Sequence, residues 1–183
     1  MPLDHLPTPE GPVDLKMTRR TLGGLMFTGY AAAALGAQAQ PIVTDEAGII
    51  TDQVSFVGWS EGAYAPSLPA YVARPEGSGP FPVVIVVNEI FGLHAYVQDV
   101  CRRLARQGFV AMAPGYFARA GDPAVMTDFP EILAVVRTAT HAQVMGDTGA
   151  ALQWLDSQPW ADASRAGITG FCWGGTVVWM ACA

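Results

Sequence analysis

One short segment of the sequence combines residue types that suit nucleophilic catalysis. Residues 170–175 read GFCWGG, which places Cys172 between two glycines, each two positions away. A predicted strand around Ile168 precedes the segment, and a predicted helix follows from Thr176. This is the pattern of a nucleophile elbow, a tight strand-to-helix turn that projects the nucleophile into a cleft. Here a thiol stands where a serine hydroxyl is more common.

The glycines have a steric purpose in such a turn, because the helix packs directly against the strand at Gly170 and Gly174. The backbone N–H of the next residue, Trp173, would point at the oxyanion that develops during acyl transfer. The positive end of the following helix favours a thiolate over a thiol. The alternative is a buried structural cysteine in a glycine-rich turn, since burial is common for free cysteine.

Two further charged side chains are expected on the same side of the molecule as Cys172. Glu89 follows almost directly on residues 83–87, VVIVV, which suit a strand buried on both faces. Arg119 lies in the loop after the next predicted strand, 109–113. The carboxyl ends of parallel strands form the ligand crevice of an α/β sheet. Glu89 could therefore face Cys172, and Arg119 could bind a substrate carboxylate. A solvated loop acid and a surface arginine are the alternatives.

The elements that must position these residues follow from the hydrophobic pattern. Segments 54–59 and 70–74 are short and β-rich, and predict an antiparallel pair. Residues 96–107 have apolar side chains at helical spacing and lie between two predicted strands, so they predict a βαβ unit with a right-handed crossover. The pattern also predicts helices over 131–140, 143–157 and 176–181 and a strand over 165–169. The fold class is therefore α/β.

Three blocks of the sequence together resemble the dienelactone hydrolase family, the carboxymethylenebutenolidase-like α/β hydrolases. The blocks are GFCWGG at 170–175, NEIFGL at 88–93 and APGYFAR at 113–119. The resemblance extends over about residues 48–183. One position departs from it, because Gly115 stands where the family usually has aspartate. The resemblance implies the α/β-hydrolase fold, a mostly parallel sheet with helices on both faces.

The resemblance also implies a role for each candidate residue. Cys172 would be the nucleophile, and Glu89 the carboxylate that accepts its proton when substrate binds. The N–H groups of Ile90 and Trp173 would form the oxyanion hole, and Arg119 would hold a substrate carboxylate. Members of the family hydrolyse enol-lactones, for example dienelactone to maleylacetate. The reaction passes through an acyl-enzyme on cysteine and needs no cofactor. The expected partner is a small lactone or ester.

The sequence departs from the family after the nucleophile. In α/β hydrolases the acid and then the histidine of the triad follow the nucleophile, but residues 173–183 contain no Asp, Glu or His. Of His5, His94 and His141, only His94 lies in the predicted crevice loop. The last strands and helices of the fold also lack a counterpart, so the strand at Ile168 is expected at the edge of the sheet. We therefore expect residues 40–183 to form a partial, C-terminally truncated α/β-hydrolase domain.

Residues 1–39 have the layout of a twin-arginine-type export signal. Arg19 and Arg20 precede a mildly apolar stretch, and residues 37–39, AQA, form a small-x-small cleavage pattern. Met17 is an alternative start. A membrane anchor is the other interpretation, but the stretch is short and contains several glycines. We expect a periplasmic or secreted protein without stable membrane association after cleavage.

Composition excludes several other classes of protein. Of the 183 residues, 51% are hydrophobic and 14% are charged, which excludes disorder. The net charge of −6 argues against a nucleic-acid partner. The single lysine, Lys16, lies in the predicted signal, so the mature chain has no P-loop or Schiff-base lysine. No C-x-x-C or H-E-x-x-H spacing occurs, and no metal is expected.

Three hypotheses remain from the sequence. The first is a secreted cysteine hydrolase that acts on a lactone or small ester. The second is a non-catalytic truncated fragment of such a hydrolase, since the Asp and His of the triad are absent after Cys172. The third is a binding module that keeps the fold without the reaction. The reactivity of Cys172 relative to Cys101 and Cys182 separates an activated elbow from the other two.

Overall fold

The computed structural model describes residues 42–62 and 65–183. Its strands are β1 (Ile49–Val57), β2 (Ser67–Pro75), β3 (Phe81–Val87), β4 (Val110–Pro114) and β5 (Ala161–Gly170). Its helices are α1 (Ala95–Arg106), α2 (Phe129–Val136), α3 (His141–Asp156) and α4 (Trp173–Cys182), with one short 3-10 turn at Pro123–Val125. The predicted signal at 1–39 lies outside the described residues.

The five strands form one mixed sheet in the order β1-β2-β4-β3-β5. The pair β1 and β2 is antiparallel, as predicted, and β2 is also antiparallel to β4. From β4 through β3 to β5 the strands are parallel, which confirms the βαβ unit expected around α1. Strand β5 lies at the edge of the described sheet, the position expected for the strand around Ile168.

The run VVIVV in β3 is buried on both faces because helices cover both sides of the sheet. Val83, Ile85 and Val87 pack into a core with Leu155 of α3 and Val177 of α4. Val86 points to the opposite face, where the apolar stripe of α1 covers it with Val97, Cys101 and Ala105. Alternate side chains of β3 thus meet apolar helix faces on the two sides of the sheet. The predicted α/β architecture, with helices on both faces of the sheet, is confirmed.

Element boundaries differ from the predictions where local signals were weak. Helix α2 begins at Phe129 rather than at residue 131, because Pro130 is tolerated in a first helical turn. Helix α3 begins earlier, at His141, because the Thr140 side chain accepts a hydrogen bond from the Gln143 N–H and caps it. Helix α4 begins at Trp173, three residues before the predicted start, so the helix follows Cys172 directly.

Within the described part of the chain, no helix combines the length and the apolar character that a membrane span requires.

Candidate active site

Cys172 occupies the sharp turn between β5 and α4. Its φ of 55° and ψ of −119° make it the one non-glycine residue with positive φ among residues 42–62 and 65–183. Such backbone conformations cost about 1–3 kcal/mol and persist only where the surrounding structure holds them. Cys172 is exposed, whereas Cys101 is buried. The turn therefore holds residue 172 at the surface, so Cys172 is not the buried cysteine that the alternative interpretation of this turn required.

The two glycines of the elbow are required by direct contact between backbones. A Cβ at Gly174 would lie 2.5 Å from the carbonyl oxygen of Val87 and 2.9 Å from that of Asn88. A Cβ at Gly170 would lie 2.7 Å from the carbonyl carbon of Gly174. Because these neighbours are main-chain atoms, no side-chain rotation can relieve the overlap. The first turn of α4 thus packs against the carboxyl ends of β3 and β5.

The strand register places Glu89 and Cys172 at the same edge of the sheet. Val87 of β3 pairs with Gly170 of β5 in the parallel ladder, and each candidate lies two residues beyond its paired residue. Neighbouring strands are separated by about 4.8 Å, so the two loops start side by side. The Glu89 side chain is only 17% exposed. The register therefore brings the loops that carry the two residues to the same edge of the sheet.

His94 is a direct partner of Glu89. Its Nε2 lies 3.2 Å from Oε2 of Glu89, and both side chains are partly buried. The loop can fold back over five residues because Gly92 adopts a φ of 71° and its N–H donates to the Glu89 carbonyl oxygen at 3.3 Å. The sequence placed His94 in the crevice, but only the folded loop reveals the contact. His141, in contrast, is exposed at the start of α3.

The two candidate oxyanion donors lie shortly after the carboxyl ends of β3 and β5. Trp173 is the first residue of α4, so its N–H is one of the four that have no intrahelical acceptor. The Ile90 N–H has no acceptor among the residues that the structure describes. The indole of Trp173 packs against Phe117, with ring centroids 4.8 Å apart, and against Tyr116 at 6.0 Å. The loop after β4 thereby supports the first turn of α4.

Arg119 is engaged in a partly buried ion pair that the sequence did not predict. Its Nη1 donates to Asp147 Oδ2 at 2.6 Å, and its Nη2 donates to Asp147 Oδ1 at 2.8 Å and to the Trp59 carbonyl oxygen at 2.7 Å. Asp147 is fully buried in α3 and also accepts the Trp59 N–H at 2.8 Å. An acid inside a helix carries no sequence signal of its partner, so only the packing of α3 reveals this pair.

The guanidinium of Arg119 borders a cavity of about 650 Å³. The cavity is lined by the loop after β1 and the start of α3, including Ser60, Thr140 and Gln143. Cys172 is not among its lining residues. The structure therefore groups Arg119 with the β1 loop, while it brings Cys172, Glu89, Ile90 and Trp173 to one edge of the sheet.

Ser60 is the centre of a second G-x-nucleophile-x-G match, GWSEG at residues 58–62. The segment joins the antiparallel strands β1 and β2 rather than a strand and a helix. The Gly62 N–H donates to the Ser60 Oγ at 3.1 Å within a local bend. The match lacks the strand-to-helix turn of an elbow, which is present at Cys172.

A second cavity, of about 520 Å³, lies beside the Glu89 loop. Gly92 and Leu93 line it from the loop after β3, and Tyr116 and Phe117 line it from the loop after β4. Gly115 also borders this cavity, and a Cβ there would lie 3.0 Å from Pro69 Cγ and 3.1 Å from its carbonyl oxygen. A side chain at this position, where the family resemblance suggested aspartate, would therefore require Pro69 to shift by a few tenths of an ångström.

The described residues contain no group of three or more His, Cys, Asp or Glu side chains arranged to hold a metal ion. The groups that lie just beyond the carboxyl ends of β3 and β5 are a thiol, a carboxylate and two backbone N–H donors. A thiol beside a carboxylate can form a nucleophilic thiolate, and backbone donors can stabilise an oxyanion. This set of groups is suited to acyl transfer.

Comparison with known proteins supports this interpretation of the fold. Residues 68–183 match the model of the dienelactone hydrolase family. A Methylorubrum extorquens protein named "Putative carboxymethylenebutenolidase" is 42% identical over 167 residues, which cover 90% of this chain and 56% of the relative. An Escherichia coli K12 protein of the same name is 39% identical over 155 residues, or 84% of this chain and 55% of the relative.

A solved structure agrees with these sequence matches. The crystal structure titled as a putative dienelactone hydrolase from Klebsiella pneumoniae has a TM-score of 0.65 and 42% identity. The match covers 73% of this chain and 54% of the other. The chain thus spans about half the length of the curated relatives it matches.

Proposed function

Since the chain belongs to the dienelactone hydrolase family, we propose that it hydrolyses a lactone or small carboxylic ester through Cys172 as the nucleophile. The observation that carries the proposal is the elbow, where an exposed cysteine is held at positive φ at the start of a helix. Strain of this kind concentrates at functional sites. A merely structural cysteine would have no need of it.

In the proposed reaction Glu89 accepts the thiol proton of Cys172. The Sγ atom then attacks the carbonyl carbon, and the resulting oxyanion accepts hydrogen bonds from the Ile90 and Trp173 N–H groups. The C–O bond of the ester or lactone breaks, and the leaving oxygen takes the proton from Glu89. The product of this half-reaction is a thioester on Cys172.

Water completes the cycle by hydrolysing the thioester. The water oxygen attacks the thioester carbon while its proton passes to Glu89, and the C–S bond breaks as the tetrahedral intermediate collapses. The proton then returns to Sγ, so the thiol and the Glu89 carboxylate are restored. One water is consumed, and for a lactone the product is a single ring-opened hydroxy acid or its keto tautomer. His94 holds the Glu89 carboxylate between these steps.

The proposal is tested first by the relative reactivity of the three cysteines. We expect iodoacetamide to alkylate Cys172 faster than Cys182, which is also exposed but lies at the end of α4. Cys101 serves as the unreactive reference, because burial raises the pKa of its thiol. Glu89→Gln removes the proton acceptor and should slow alkylation of Cys172 by roughly 10² or more, whereas Glu131→Gln, at an exposed position, should not.

Turnover provides the second test. Hydrolysis of p-nitrophenyl acetate and of an enol-lactone should be lost in Cys172→Ala and kept in Cys182→Ala. Equal alkylation of Cys172 and Cys182, together with hydrolysis that survives Cys172→Ala, would contradict the proposal. A stable chain whose Cys172 is unreactive and that hydrolyses nothing would favour the non-catalytic alternatives.

We propose that Arg119 also holds a carboxylate of the substrate. A lysine substitution can separate this role from the ion pair that Arg119 forms with Asp147. Lysine retains the charge but not the fork geometry that a carboxylate and Asp147 require. Arg119→Lys should therefore raise KM for a carboxylate-bearing lactone while leaving kcat and the KM of a neutral ester unchanged. Equal changes for both substrates would assign Arg119 to the structural pair alone.

Export is a separate proposal that rests on residues 1–39. In a bacterial host, replacing both Arg19 and Arg20 with lysine should keep the full-length chain in the cytoplasm, because twin-arginine export depends on the paired arginines. The matched control replaces Arg74, outside the signal, with lysine. Equal release of the parent and the double variant by osmotic shock would contradict export by this route.

A further inference from the structure

Asn88 is a buried side chain to which the proposed reaction assigns no role. It directly follows β3, is 0% exposed and immediately precedes Glu89. Its Nδ2 donates to the Glu89 carbonyl oxygen at 2.6 Å, while its Oδ1 has no partner among the described residues. A buried acceptor without a partner destabilises the folded protein. An apolar residue of similar size would avoid that cost, so stability alone does not account for a carboxamide here.

The contact itself fixes which end of the carboxamide faces the Glu89 carbonyl. Two oxygen atoms held 2.6 Å apart without a proton between them would repel, and only the NH₂ end can donate. The Glu89 oxygen therefore accepts from two directions, because the Gly92 N–H also reaches it at 3.3 Å. The orientation of this carbonyl is determined by the Asn88 side chain and the Gly92 turn together.

The orientation of the Glu89 carbonyl also determines the orientation of the Ile90 N–H. The carbonyl of Glu89 and the N–H of Ile90 belong to one planar trans peptide, in which the two groups point in opposite directions. With the oxygen held by Asn88, the Ile90 N–H is turned to the other side. There it has no acceptor among the described residues. It is thus a donor that is oriented but unused.

Asn88 also lies where the two halves of the candidate oxyanion hole meet. Its carbonyl oxygen is so close to Gly174 that a Cβ there would approach it to 2.9 Å. Gly174 directly follows Trp173, the source of the second donor. One residue therefore contacts the first turn of α4 through its backbone and the Glu89–Ile90 peptide through its side chain.

We propose that Asn88 is a positioning residue that aims the Ile90 N–H at the oxyanion formed on the substrate of Cys172. The inference rests on the proposed function, and it adds a residue that neither touches substrate nor takes part in proton transfer. Loss of one oxyanion donor lowers rates by about 10²–10³. Misdirecting a donor that is still present should lower them less, by roughly 10- to 100-fold.

The experiment separates oxyanion stabilisation from thiol reactivity in the full chain. Alkylation of Cys172 by iodoacetamide forms no oxyanion, whereas acylation by p-nitrophenyl acetate forms one and releases p-nitrophenolate. Asn88→Asp keeps the shape but replaces the donor with an acceptor that repels the Glu89 carbonyl. We expect it to slow acylation by roughly 10- to 100-fold while alkylation stays within about twofold. Asn88→Gln retains a donor and should recover part of the acylation rate.

A structural measurement keeps the inference falsifiable apart from catalysis. In the amide NMR spectrum of Asn88→Asp, the Ile90 resonance should shift while resonances of α1 and α3 stay in place. Unchanged acylation together with an unshifted Ile90 resonance would overturn the inference, as would equal slowing of acylation and alkylation. If the parent alkylates at Cys172 but never acylates, the proposed function fails, and the Ile90 resonance alone then decides whether Asn88 orients this peptide.

Discussion

The region around Cys172 and the region around Arg119 both follow the carboxyl ends of strands, but they satisfy their polar groups differently. At Arg119, a bidentate ion pair with Asp147 and two bonds to the Trp59 backbone engage the charges on both sides. At Cys172 the backbone is strained, the thiol is exposed, and the Ile90 N–H is without a partner among the described residues. The first arrangement contributes stability, and the second retains groups that a reacting substrate can use.

The largest expected effect is on the stability provided by the Arg119 region. Asp147→Ala leaves the partly buried Arg119 without its counter-charge and should lower the free energy of unfolding by about 3–5 kcal/mol. The control is Asp45→Ala, because Asp45 pairs with Arg106 at the surface, where solvent and salt screen the pair and it adds little stability. Urea unfolding measures both. Similar losses of unfolding free energy in the two variants would mean that the Arg119 region does not stabilise the fold more than a surface ion pair does.

The next largest expected effect is a loss of stability when a side chain is added at Gly174 in the elbow. Gly174→Ala forces a Cβ against the Val87 and Asn88 carbonyl oxygens and should cost about 1–3 kcal/mol through overpacking. Gly149→Ala is the matched control, because Gly149 lies within α3 and a Cβ there meets nothing within 4 Å. It should stabilise by about 0.5–1 kcal/mol through helix propensity. Thermal unfolding that ranks the two variants the other way would argue against direct contact between α4 and β3.

Relief of strain at position 172 tests whether the elbow costs stability. Cys172→Gly should raise the free energy of unfolding by about 1 kcal/mol, because glycine adopts positive φ without a Cβ penalty. The same substitution at Cys182, the last residue of α4, should change the free energy of unfolding by less than about 0.5 kcal/mol, because the glycine penalty applies to helix interiors. A loss of stability in both variants would mean that the turn at Cys172 is not strained.

The smallest expected effect is a change in acid stability at a third cluster, which Asp99 forms with the Thr44 N–H and the Arg102 guanidinium. Burial raises the pKa of Asp99, but the Thr44 N–H at 2.6 Å and the Arg102 guanidinium more than offset it, so the pKa lies below its ordinary value. A lowered folded-state pKa gives stability that is present above the unfolded value of about 3.9 and is lost as pH falls through the folded value. Asp99→Asn should therefore flatten the dependence of unfolding free energy on pH below about 4. An unchanged slope in that acid range would contradict this assignment.

Much of the fold was accessible from sequence because its signals are local. The run VVIVV in β3, the helical stripe of α1 and the turn residues between them predict a parallel βαβ unit, and the structure confirms it. The glycines that flank Cys172 predict a turn in which helix and strand backbones touch, and the structure shows those contacts. The exact start of α4 was less accessible, because no capping side chain precedes Trp173.

The partners of the candidate groups were much less accessible. Asp147 lies 28 residues from Arg119 along the chain, and nothing near either residue indicates the other. The Glu89–His94 contact is close in sequence, but it depends on how the Gly92 turn folds back. The Asn88 carboxamide looks like an ordinary strand-end residue until its burial and its one partner are known.

The sequence by itself determined which residues are capable of chemistry and which segments become strands and helices, because both depend on residue type and short-range periodicity. Only the tertiary structure decided which of those residues are already paired and which remain available. Pairing depends on the register of β3 against β5 and on the packing of α3 and α4 over the sheet. These are long-range contacts, and their geometry is set by the whole core rather than by any one segment.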